Sequence, residues 1–178
     1  MSVRRVVITG SESTGKTTLA RNLGAHFGVP WVPEFARDYA DAQTLAGRKL
    51  DETDVEPIAR GTIERQDAAL GSGAEVVFFD TDLVSTVVYA RHYYGNCPAW
   101  IETAARDRLG DLYLLCDIDV PWIPDGVRDV PHQRAHMHAL FVAGLSAFGA
   151  NVAVISGPWA ERFRAAVDAC RTLLPSAG

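Results

Sequence analysis

Residues 10–17 read Gly-Ser-Glu-Ser-Thr-Gly-Lys-Thr, a complete G-x-x-x-x-G-K-[ST] pattern between an apolar run (Val6, Val7, Ile8) and a helical pattern that begins at Lys16. Glycines at both ends of such a loop admit backbone conformations that a Cβ resists, so successive N–H groups can point at phosphate oxygens. Lys16 can then reach the β- and γ-oxygens, the Thr17 hydroxyl can face Mg²⁺, and the following helix turns its positive end to the same anions. The stretch from Gly10 through Ser13, Thr14 and Gly15 to Lys16, Thr17 and Thr18 is therefore a candidate nucleoside-triphosphate cradle, with ATP and Mg²⁺ as the expected cofactors.

Outward from the loop, strand and helix patterns alternate. Val3 to Thr9 is a continuous apolar strand, and Leu19, Ala20, Leu23 and Phe27 recur at helical spacing. Strands are expected at 31–34, 75–80, 111–116 and 151–156, and helices at 35–46, 54–70, 83–94, 98–109, 135–148 and 159–174. The proline- and glycine-rich stretch 117–134 has no apolar period and reads as a long loop. This predicts an α/β fold, a three-layer α/β/α sandwich on a mostly parallel five-stranded sheet, with ligands gathered beyond the carboxyl ends of the strands.

The 178 residues suit one domain spanning 1–178, and the formal charge of −5 without a Lys/Arg cluster argues against a nucleic-acid face. Three cysteines without C-x-x-C spacing, no room for a leader and no long apolar run point to the cytoplasm and away from membranes. A homo-oligomer stays open.

The strand ends carry the candidate chemistry. Four apolar residues ahead of Asp80 form the pattern that holds Mg²⁺ opposite Thr17. Asp82 can cap the next helix or face an acceptor. Glu34, after the second strand, can take the acceptor hydroxyl's proton, bind a sugar diol or cap a helix, with Arg37 and Asp38 beside it as acceptor contacts or solvated neighbours. In the loop 117–134, Arg128 and Arg134 suit a lid over the phosphates, against plain salt bridging to Asp125 or Asp129. Trp122 can stack on a flat ring or pin the loop. Gly157, Trp159 and Arg162 begin the last helix where a base can rest, although Trp159 can equally be core. His132, His136 and His138 lack the partners for a metal set.

Taken in order, Gly-Ser-Glu-Ser-Thr-Gly-Lys-Thr-Thr-Leu-Ala, Pro-Glu-Phe-Ala-Arg-Asp-Tyr, Phe-Asp-Thr-Asp, the 111–129 segment and Ile-Ser-Gly resemble the ribosylnicotinamide kinase domain of the NadR family over nearly the whole chain. The resemblance implies a nucleoside-kinase-like P-loop fold that moves the γ-phosphate of ATP to the 5′-hydroxyl of nicotinamide riboside in NAD salvage. It also implies Lys16 and Thr17 at the nucleotide, Asp80 near magnesium, Glu34 and its neighbours near the riboside, and the Arg128 region as lid. Longer family members carry a nucleotidyltransferase domain ahead of the kinase; this sequence is expected to act as a kinase alone. Two other functions compete: a kinase for another nucleoside or small alcohol, and an ATP-binding or ATP-hydrolysing switch.

Overall fold

Five short apolar runs supply the strands β1 (Arg4–Thr9), β2 (Trp31–Val32), β3 (Val76–Asp80), β4 (Leu112–Cys116) and β5 (Val152–Ile155). The computed structural model describes residues 3–121 and 133–173. All four strand pairings are parallel, in the order β2-β3-β1-β4-β5. β3 and β4 are buried at every position, as strands covered on both faces must be.

Helices α1 (Lys16–Phe27), α2 (Phe35–Leu45), α3 (Val55–Leu70), α4 (Leu83–Tyr94), α5 (Ala99–Asp107), α6 (Arg134–Phe148) and α7 (Trp159–Arg171) connect them. Successive strand side chains go to opposite faces, and this alternation divides the core into two. Val6, Ile8, Phe78, Leu112 and Leu114 pack with Leu19, Leu23, Ala166 and Val167 of α1 and α7. Val7, Phe79, Tyr113 and Leu115 pack with Val84, Ile101, Phe141 and Leu145 of α4, α5 and α6. The result is the three-layer α/β/α sandwich. Phe78 and Phe79 are adjacent yet serve different layers, so truncating either to alanine costs about 3–5 kcal/mol.

Element ends differ modestly from expectation. β2 stops at Val32 instead of Glu34, because Pro33 has no N–H to continue the ladder, and Glu34 becomes the residue before α2. The expected turn before α3 tightens into a 3₁₀ turn at Glu52–Asp54. There the Asp51 side chain accepts from Thr53 N, and Asp54 answers the Asp51 N–H at 2.9 Å.

Candidate active site

The phosphate loop bridges the end of β1 and the start of α1, and two of its glycines are required by what stands beside them. At Gly10 (φ 132°) a Cβ would lie 2.8 Å from the Cys116 carbonyl oxygen, so the loop leaves the sheet tight against the end of β4. At Gly15 (φ 83°) a Cβ would lie 2.5 Å from the Trp159 ring. Ser13 also takes a positive φ, 52°. Within the loop, Lys16 Nζ donates to the Ser11 carbonyl at 2.8 Å and the buried Thr14 hydroxyl donates to the same oxygen at 2.9 Å. Thr18 follows on the first turn of α1.

Strand order sets the carboxylates beside this loop. β3 lies between β2 and β1, with Asp80 in register with Ile8. The Thr17 hydroxyl donates to Asp80 Oδ2 at 2.5 Å, while buried Oδ1 has no hydrogen-bond partner among the described residues. Burial chiefly, then the negative charge of Glu34, pushes the Asp80 carboxyl up to about 6, against the pull of Lys16. An orphaned buried oxygen beside a threonine hydroxyl is the donor set that suits a hard divalent cation.

Glu34 sits at the N-cap of α2, yet its side chain makes no capping bond. It is 8% exposed and 3.9 Å from Arg37 Nε. It opens a cleft formed by α2, α3 and α4, with Asp54, Thr81, Ser85, Tyr89 and Tyr93 on its walls. Asp54 is buried and saturated: it accepts from Tyr39 Oη at 2.8 Å, from Arg48 and from Asp51 N. These contacts hold the Asp54 carboxyl below its ordinary range although burial works against them. Thr81 has φ 65°, which a β-branched residue rarely adopts. That twist lets Asp80 meet Thr17 while Asp82, two residues on, turns into the core.

Several expected roles are corrected by burial. Of the two readings of Asp82, the structure has the cap: it accepts from Val84 N at 3.0 Å and from Tyr113 Oη at 2.5 Å and is 5% exposed. Burial raises its carboxyl to about 6, and burial with the Asp82 charge drives the Tyr113 phenol far up. Asp38 is turned outward and bonds Arg65 at 2.7 Å, tying α2 to α3. Arg162 is fully buried and cannot meet a base. Its guanidinium donates to the Gly157 and Asp117 carbonyls at 2.9 and 3.0 Å and to Asp119, whose other oxygen accepts from Gly157 N at 2.6 Å. Trp159 is 45% exposed against the phosphate loop, so it is not core. Arg134 starts α6 and donates to Val120 O at 2.9 Å and Ser13 O at 3.5 Å, lying across the loop's backbone. Trp122, Arg128, Asp125, Asp129 and His132 lie outside the described residues. Among those described, no cluster of His, Cys, Asp or Glu suits a metal by ligand number alone, and no helix is long and apolar enough to cross a membrane.

The residues that sequence reasoning missed are those on the cleft walls: Asp54, Thr81, Ser85, Tyr89 and Tyr93. A signal existed for three of them, since Ser85, Tyr89 and Tyr93 recur every fourth residue along the helix that follows Asp80.

The family described as AAA domain matches residues 5–162. The trifunctional NAD biosynthesis/regulator protein NadR of Escherichia coli (strain K12) is 33% identical over 130 residues, covering 72% of this chain and 32% of the relative. NadR of Salmonella typhimurium matches over the same shares. A crystal structure of NadR protein in complex with NR superposes with a TM-score of 0.83 at 28% identity, covering 96% of this chain and 51% of that one. NadR protein in complex with NAD and AMP-PNP gives 0.80 at 27%, covering 96% and 49%. Thymidylate kinase from Ehrlichia chaffeensis shares the fold, with a TM-score of 0.70 at 14% identity over 98% of this chain and 100% of its own. The chain thus spans about a third of the curated relatives it matches and about half of the NadR structures.

Proposed function

The chain belongs to the AAA domain family, and from that footing we propose that it is an ATP-dependent kinase that phosphorylates the 5′-hydroxyl of nicotinamide riboside, yielding nicotinamide mononucleotide for NAD salvage. The observation that carries this reading is the row of Glu34 just after β2, Asp80 at the end of β3 and Thr17 in the first turn of α1, with a phosphate loop on one side and a cleft on the other. A nucleotide switch needs the loop and Asp80 but has no use for a buried carboxylate at the mouth of a second cleft. Kinship with NadR, of which one structure is a complex with NR and another holds AMP-PNP, supports the acceptor and the donor.

In the proposed reaction the loop's N–H groups and the N-terminus of α1 hold the triphosphate, and Lys16 exchanges its Ser11 carbonyl for the β/γ oxygens. Thr17 and Asp80 would hold Mg²⁺, which when bound neutralises charge on those oxygens. Glu34 orients the acceptor hydroxyl and takes its proton as the new O–P bond forms and the bond from the γ-phosphorus to the departing ADP breaks, a modest task because phosphoryl transfer is mostly positioning and charge stabilisation. Arg134 covers the phosphates from the α6 side, with Arg128 as a further lid group. The Trp159 ring beside Gly15 offers a face for adenine, with Gly157 at the turn before it. Measuring ATP consumption over a panel of nucleosides tests the reading. Turnover restricted to nicotinamide riboside is expected; hydrolysis equal with every acceptor would overturn it.

A further inference from the structure

The walls of the acceptor cleft carry three carboxylates, Glu34, Asp51 and Asp54, and three tyrosines, Tyr89, Tyr93 and Tyr94, while no lysine, arginine or histidine lines it among the described residues. The arginines that answer those acids, Arg37 and Arg48, stand outside the lining and are 41% and 42% exposed, so water weakens their reach into the cleft, as it does that of Asp51, itself 56% exposed. Glu34 and Asp54 are buried, where a charge is felt at longer range. The rings of Tyr89 and Tyr93 lie parallel, 7° apart with centroids at 6.0 Å, and Tyr93 stays 51% exposed at the wall. An aromatic face is the negative pole of the ring's quadrupole and attracts a cation, best where the cation has lost water. A cleft lined by acids and tyrosines disfavours an anionic acceptor, offers a neutral one hydrogen bonds and contact area, and adds attraction for fixed positive charge.

We infer that this cleft selects its acceptor by ring charge, taking a cationic nucleoside in preference to a neutral nucleoside of the same shape, with the Tyr93 face as the main discriminating group and Tyr89 behind it. The inference rests on the proposed acceptor: nicotinamide riboside bears its charge on the pyridinium ring, and dihydronicotinamide riboside has the same ribose and carboxamide without that charge. The two ribosides therefore separate charge from shape.

The test compares kcat/KM for the two ribosides at saturating ATP. A preference of about tenfold or more for the cationic form is expected, equivalent to about 1.4 kcal/mol. Tyr93→Leu should lower that ratio about threefold with the KM for ATP unchanged, and Tyr93→Phe, which keeps the ring, should preserve it. Equal kcat/KM for both ribosides in the unaltered protein overturns the inference, as does a ratio that Tyr93→Leu leaves unmoved. If neither riboside is phosphorylated, the proposed acceptor has failed, and equilibrium dialysis then decides the charge question by itself. Tighter binding of the cationic form upholds the inference, and equal or absent binding of both overturns it.

Discussion

Eight consecutive residues, Gly10 to Thr17, make the proposed phosphate side of the site, whereas the proposed acceptor side draws Glu34 from just after β2, Asp54 from a 3₁₀ turn, Thr81 from just after β3 and Tyr93 from α4. The first is held by its own backbone: Lys16 and Thr14 both return to the Ser11 carbonyl, and the positive φ angles of Ser13 and Gly15 set the loop's curvature. The second exists only when three helices have packed, and its polar groups find partners from elsewhere in the chain, as Asp54 finds Tyr39 and Arg48. A site whose halves are built so differently fails in different ways, and mutation should separate the two.

The largest loss is expected from Lys16→Ala, which removes the charge proposed to meet the γ-phosphate. Single-turnover phosphoryl transfer should fall about 10³-fold while circular dichroism and melting temperature stay near the original. Unaltered turnover would mean that the loop binds without taking part in transfer. Asp80→Asn comes next, with a loss of about 10²–10³ in kcat and a stability that moves the other way. The native carboxyl holds its proton up to about 6, above its ordinary value of 3.8. Its contribution to stability is therefore fully present below about pH 4 and is lost as pH rises through about 6. The asparagine variant keeps that contribution, on the order of 1–3 kcal/mol, at pH 7 and shows a flatter melting temperature between pH 4 and 7. Activity should run opposite: the proposed magnesium site needs Asp80 ionised, so binding of magnesium-ATP should weaken as pH falls through 6. A pH-independent affinity would detach Asp80 from the metal.

On the proposed acceptor side, Glu34→Gln should lower kcat about 10²-fold with the KM for ATP unchanged, the split expected of a group that does not hold the nucleotide. A matching rise in the KM for ATP would move Glu34 to the phosphate half. The smallest effect is assigned to Thr81→Gly. Relief of the left-handed strain outweighs the added freedom of the unfolded chain, for a gain of about 0.5–1 kcal/mol in denaturant melts. The KM for the acceptor should rise a few-fold, because a wall hydroxyl is lost. A variant both less stable and fully active would show that the conformation at Thr81 carries no strain.

The same contrast explains what the sequence disclosed. The phosphate loop, the buried runs Val76–Asp80 and Leu112–Cys116 and the helix spacing of α1 and α4 are local patterns, and each sits where its pattern placed it. Arg162 was misread because its place after β5 suggests a base contact, while its fate is set by Asp119, forty-three residues earlier. Asp82 was left between two roles because the choice depends on the Tyr113 hydroxyl, thirty-one residues away. Asp38 follows Glu34 closely, but its exposed side chain bonds Arg65, twenty-seven residues later on α3. The tyrosines of α4 carried a readable period, yet only the packed cleft distinguishes a wall from a core stripe. Local chemistry was legible; partnerships across long stretches of chain were not.

The order β2-β3-β1-β4-β5 also bears on how the chain reaches its native state. β1 is synthesised first but occupies the middle of the sheet, pairing Arg4 with Val76 and Val6 with Leu112. Its neighbours on both sides arrive only after some seventy and a hundred further residues, and such distant closures are slow to form. Through that interval Val6, Val7 and Ile8 emerge from the ribosome as an unpaired apolar edge, the kind of segment that aggregates or engages a chaperone. The loop after β1 is thus made before either of the strands that flank β1 in the sheet.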